Sequence, residues 1–204
     1  MYRRNAVLCV LPTLLTAAAA TTGCGGSARP EALRPSNYTL QHSDVGNAYK
    51  QDEAGRLSSR KAAIALSLPL STLRGWGFVG GYERTFGLRD LSRAFGALNT
   101  VDSSVFATRT AAGAHSLFVW TIKGYGQQSP RLGIRPVGAE SRCYRAYQGM
   151  STGFLCVLRQ GRLISVLECA GLARLGRLAL DRSTLVHTIE ALSATQAKRM
   201  ASRH

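Results

Sequence analysis

A chain of 204 residues, 45% of them apolar, suffices for one domain with a single core. Its 26 Lys and Arg stand against 11 Asp and Glu, a formal net charge of +15, but the basic residues are scattered. Neither a ribonucleoprotein aromatic motif nor a zinc-finger spacing occurs, so the common nucleic-acid readers are excluded; the charge supports only a bias toward anionic lipid or wall polymer.

The first element is a leader. Arg3 and Arg4 precede an apolar stretch from Ala6 to Ala20, and small residues end at Gly23-Cys24. A positive start, an apolar middle and a small-residue cleavage site are the layout of a secretory signal. A spanning helix needs roughly 20 apolar residues. Here Pro12 and Thr13 interrupt the stretch, which fades into Thr21-Thr22, so a permanent span is disfavoured. Thr22-Gly23-Cys24 resembles the lipobox of bacterial lipoproteins, with Thr21 where an aliphatic residue is usual. The resemblance implies cleavage after residue 23, lipidation of Cys24 and residence on the extracytoplasmic face of the cell membrane. Several acyl chains on one residue anchor a protein stably without a spanning helix. The rival expectation is a plain cleaved signal and a secreted product.

The expected organisation is a signal peptide over 1–23, a lipidated N-terminus and flexible tether over 24–36, and one domain over 37–200. Small and proline-broken residues from Gly25 to Pro35 carry the tether. Ser58-Ser59 open a short capped helix running to Leu66 and stopped by Pro69. Gly77 to Phe86 alternates, placing Phe78, Tyr82 and Phe86 on one side of a half-buried strand. Val101 to Thr108 is rich in β-branched and aromatic residues and reads as a strand. Thr110 caps a helix whose apolar stripe holds Ala111, Ala114, Leu117, Phe118 and Ile122. A turn-rich loop from Gly124 to Pro136 leads to three strands, 141–147, 153–159 and 162–169.

These strands carry Cys143, Cys156 and Cys169, an odd set for an oxidising compartment. A hairpin turning at Gly149-Met150 sets Cys143 opposite Cys156, the preferred disulfide, and leaves Cys169 a buried thiol. A turn at Gln160-Gly161, pairing Arg159 with Arg162, sets Cys156 opposite Ser165 and Cys169 opposite Thr152. Leu172 to Leu178 is a basic amphipathic piece expected over the sheet edge, and a helix from Ser183 to Met200 closes the chain on Leu185, Ile189 and Leu192. The expected fold is α+β: a single domain, a curved antiparallel sheet packed by a few helices, with a C-terminal helix.

No string in the chain carries chemistry. Gly75 to Gly80 spells G-x-G-x-x-G, but a strand rather than a helix follows it, so dinucleotide binding lacks its context. His42, His115 and His187 sit in no catalytic pattern, no nucleophile elbow occurs, and no two acidic residues form an evident pair. The cysteines lack the close pairs of a zinc site. Accordingly no catalytic residue, cofactor or metal is assigned.

The stretch Leu73 to Phe86, the Ala111-Ala112-Gly113-Ala114 helix start, Val137-Gly138-Ala139-Glu140 and the Arg159-Gln160-Gly161-Arg162 hairpin together resemble poorly characterised exported bacterial proteins. That resemblance implies a small extracytoplasmic α+β domain of the sensor type. The expected function is a membrane-anchored, non-catalytic domain that binds an apolar ligand or protein partner and no nucleic acid. Trp76, Phe78, Tyr82, Phe86 and Trp120 are the candidate ligand-lining residues. The alternative is an envelope enzyme acting on wall or lipid substrates.

Overall fold

The computed structural model describes residues 33–90, 92, 98–148, 151–174, 177–178 and 182–202. Cys24, the leader and most of the expected tether lie outside them. A short 3-10 turn at Pro35–Asn37 and helix α1 (His42–Val45) precede strand β1 (Tyr49–Leu57). Helices α2 (Ser59–Ala65) and α3 (Leu70–Gly75) then lead to β2 (Phe78–Leu88) and β3 (Thr100–Thr108). Helix α4 (Ala111–Gly126) is followed by β4 (Arg131–Leu132), β5 (Glu140–Gln148), β6 (Ser151–Gln160) and β7 (Leu163–Arg174). Strand β8 (Arg177–Leu178) and helix α5 (Arg182–Ala201) complete the order.

The strands form one antiparallel sheet in the order β1-β2-β3-β7-β6-β5-β4, with β8 paired to the end of β7. Alternation along each strand divides the core into two layers. Leu57, Phe106, Tyr144, Leu155, Val157 and Ile164 face α2, α3 and α4. Phe86, Val101, Phe154, Leu167 and Cys169 face α5 through Leu185, Ile189 and Leu192. Around Tyr38, Val105, Leu158, Leu163 and Met200 a further cluster extends the α5 side.

A polar thread pins the N-terminal segment there. The Leu40 amide donates to Ser103 Oγ (3.0 Å), which donates to Gln196 Oε1 (2.8 Å), and Gln196 Nε2 donates to the Tyr38 carbonyl (2.6 Å). All of it is buried, and every group is paired, so it holds α5 and the first described residues in one register.

Cys143 and Cys156 are direct partners on β5 and β6 and form a disulfide; Cys169 is a buried free thiol. The next hairpin departs from its expected register. Gln160 pairs with Leu163, so Cys156 stands opposite Leu167 and Cys169 opposite Phe154. The reason is the turn type: Gly161 takes a φ of +55° while Arg162 does not, the pattern of a two-residue turn with glycine first. The loop is therefore Gly161-Arg162. A shift of two residues leaves every side chain on its expected face.

Candidate functional site

The helical layer on the α4 side is assembled by local signals. Ser58 Oγ accepts the Lys61 amide (3.3 Å) and starts α2; Thr110 Oγ1 accepts the Gly113 amide (3.0 Å) and starts α4. Between α2 and α3 the chain turns at Ser67, whose φ is +49°. At the C-terminal end of α3, Gly77 takes a φ of +74° and admits the turn into β2. Gly113 lets α4 lie against the Trp76 carbonyl, where a Cβ would collide. The Trp76 and Trp120 rings sit 6.2 Å apart and tilted by 60°. Trp120 Nε1 donates to the Leu66 carbonyl (3.2 Å), tying α4 to the end of α2.

These contacts leave a groove of about 300 Å³ between the end of α2 and the second half of α4. Leu66, Ser67, Trp120, Thr121, Tyr125 and Gln128 are among the residues that line it. Its walls are an indole, a phenol and a leucine; hydroxyl, amide and the Lys123 ammonium stand at the rim. Such a mixture holds an apolar group and orients it by a few polar contacts.

Beside the groove, the same face of the sheet turns acidic. Glu53, Thr85, Asp102 and Glu168 occupy one cross-strand row on β1, β2, β3 and β7. Burial raises the Asp102 carboxyl above its ordinary range; a hydrogen bond from Thr85 opposes this and the charge of Glu53 adds to it. Glu168 is raised by burial and then by Asp102. Tyr125, which lines the groove, is raised by burial and then by the charge of Glu168. Among the described residues, no group of three or more His, Cys, Asp or Glu is placed to hold a metal.

Of the five residues expected to line a ligand site, Trp120 lines the groove. Trp76 meets the Trp120 ring at a tilt, and Phe78 packs against the core beneath the helices. The expected aromatic row does not exist. A bulge between Phe78 and Gly80 turns the strand over, so Phe78 faces α4 while Tyr82 and Phe86 face α5. Phe86 is fully buried there, and Tyr82 lies under the Arg84 guanidinium at 5.4 Å. The glycine string at 75–80 is the α3–β2 turn, followed by a strand.

His115 Nδ1 meets Glu140 Oε2 at 3.1 Å, and Arg159 pairs with the same carboxylate. Burial pushes Glu140 up, but hydrogen bonds and charge from Arg159 and His115 outweigh it and hold the carboxyl below its ordinary value. Leu66, Ser67 and Tyr125 were not expected at a site, nor was the opposition of Asp102 to Glu168. No local pattern marks them; the β3–β7 register is the signal that finds the acidic pair.

No family model matches the chain, and no curated protein matches it. Among solved structures, the chain is similar to the crystal structure of the extracellular domain of PknH from Mycobacterium tuberculosis. The TM-score is 0.56 at 10% sequence identity, covering 83% of this chain and 96% of that one. The likeness is one of fold. Among the described residues no helix is long and apolar enough to cross a membrane.

Proposed function

We propose that this chain is an extracytoplasmic binding domain of the sensor type, held at the membrane through a lipidated Cys24, and that it acts by binding rather than catalysis. The observation that carries the binding reading is the groove between α2 and α4, with Trp120, Leu66 and Tyr125 as its walls. A pocket of this size takes the apolar part of a ligand or partner and fixes it through Ser67, Gln128 and Lys123 at its rim. The similarity to the extracellular domain of PknH supports the address and the sensor-type reading.

The anchor and the binding are tested separately. Cys24→Ser is expected to move the protein from the membrane fraction to the soluble fraction; a variant that stays wholly membrane-bound contradicts the anchor. Mass spectrometry of species co-purifying with the membrane-extracted full chain is expected to find a ligand or partner that Trp120→Ala loses. Bulk phospholipid alone, in equal amounts from both proteins, contradicts the binding reading.

The Asp102–Glu168 opposition favours one second reading, an envelope enzyme acting on wall or lipid substrates, since paired half-buried carboxyls raised above their ordinary range suit acid–base work. Product release from purified wall polymer or phospholipid, abolished by Asp102→Asn, would carry that reading; its absence removes it.

A further inference from the structure

Ile64, Val79, Val119 and Trp120 are the large apolar residues that the described surface leaves exposed, at 72%, 51%, 43% and 39%. Three of them lie on α2 and α4, on either side of the groove. Helical spacing sets a cation one turn from each: Arg60 and Lys61 precede Ile64 by four and three residues, and Lys123 follows Val119 and Trp120 by four and three. The charges on this layer are of one sign. Residues 58–82 and 103–132 contain no Asp or Glu, yet they hold Arg60, Lys61, Arg74, Arg109, Lys123 and Arg131. Glu140 of β5 reaches α4 at His115, where Arg159 also pairs with it.

An acid-free helical surface that mixes exposed aliphatic and indole side chains with Lys and Arg complements one kind of partner. Anionic headgroups take the cations while Ile64, Val119 and Trp120 enter the boundary between headgroup and acyl chain. The Trp120 indole suits that depth, since its N–H is already satisfied by the Leu66 carbonyl. A protein partner would need an acidic and apolar face of its own; the bilayer supplies both features at once.

We propose that the α2–α4 surface docks on an anionic lipid bilayer, so that the groove opens toward the membrane interface and takes its ligand from there. This rests on the binding reading of the same groove and names the surface it works against. Contact through this layer orients the domain, which a lipid on Cys24 alone does not.

The chain reports on its own docking, because it holds two tryptophans, Trp76 and Trp120, and both belong to this layer. The test uses the full chain carrying Cys24→Ser, mixed with vesicles of phosphatidylcholine alone or of phosphatidylcholine with phosphatidylglycerol. With anionic vesicles the tryptophan emission should shift to the blue and be quenched by lipid brominated on its acyl chains. Both effects should fade at about 0.5 M salt, where screening acts over only a few ångströms. Lys61→Gln should weaken partitioning about fivefold and Ile64→Gln about tenfold, with melting temperatures unchanged because both side chains are exposed.

Emission that ignores both kinds of vesicle overturns the proposal, as does a shift of equal size on neutral vesicles or one that both variants retain. Concentration-dependent self-association without lipid, abolished by Ile64→Gln, would assign the surface to a second copy and also overturn it. In each of these cases a co-purifying ligand that depends on Trp120 leaves the binding reading intact. Loss of that ligand alone, with vesicle docking retained, removes the binding reading and leaves the surface assigned.

Discussion

Asp102 stands opposite Glu168 in the β3–β7 ladder, where two carboxylates on adjacent strands repel and each loses part of its water. Both are raised above their ordinary range, so the folded state binds these protons more tightly than the unfolded chain. Their contribution to stability is complete below the ordinary carboxylate pKa and is lost as pH rises through the raised one. Glu140 has the opposite sign and costs stability only below the ordinary range. The melting temperature should therefore rise as pH is lowered from neutral toward the upper edge of carboxylate titration. Asp102→Asn should raise the melting temperature at pH 7 and flatten that slope, as scanning calorimetry across pH would record. A slope unchanged in the variant would show that burial does not raise the Asp102 carboxyl. Neither residue stood out in the sequence, because nothing local reveals that β3 and β7, far apart in the chain, are neighbours. Trp120 did stand out, as an aromatic at a helical position, but its groove depends on where Leu66 and Ser67 land.

Elements with a clear period were legible. The capped helices at Ser58 and Thr110, the strand at 101–108, the three-strand meander and the closing helix all follow from spacing and caps. Strand β1 was not legible: it is an edge strand whose run from Lys50 to Ala54 is exposed, so no alternation appears. Helix α3 spans six residues, too short to display a period. Phe78, Tyr82 and Phe86 misled because the bulge before Gly80 inverts the faces, which residue types alone do not announce.

Helix α4 allows a test within one element. Gly113→Ala drives a Cβ into the Trp76 carbonyl and should lose about 2 kcal/mol, overpacking outweighing propensity. Gly124→Ala meets open space and should gain about 1 kcal/mol. Urea denaturation of both variants checks the sign of each; a stabilising Gly113→Ala would mean that α4 does not pack against Trp76. The disulfide sets a further scale. Cys143 and Cys156 are 13 residues apart, and a loop of about that length predicts a loss of about 3 kcal/mol for the double alanine variant. An unchanged denaturation midpoint would mean that the thiols are not joined.

At the scale of the whole molecule, an antiparallel sheet is covered on one face by α5 with the N-terminal segment and on the other by α2, α3 and α4. The α5 face is tied by buried side-chain hydrogen bonds and by Arg199, which donates to both carboxylate oxygens of Asp44. The opposite face keeps the groove, the raised carboxylates and the exposed apolar side chains. One side is tied by buried polar contacts, and the other carries the groove on which the proposed binding rests. The fold was legible from periodicity, whereas the groove arises only from packing.

The most direct test fills the groove without harming the fold. Gly124 lines the groove on an exposed turn of α4, and a Cβ there meets no atom within 4 Å. Gly124→Leu should raise the melting temperature, as a helix former replacing glycine does, and should abolish the Trp120-dependent ligand that co-purifies with the full chain. The same ligand in the same amount from a stabilised Gly124→Leu protein would contradict the account.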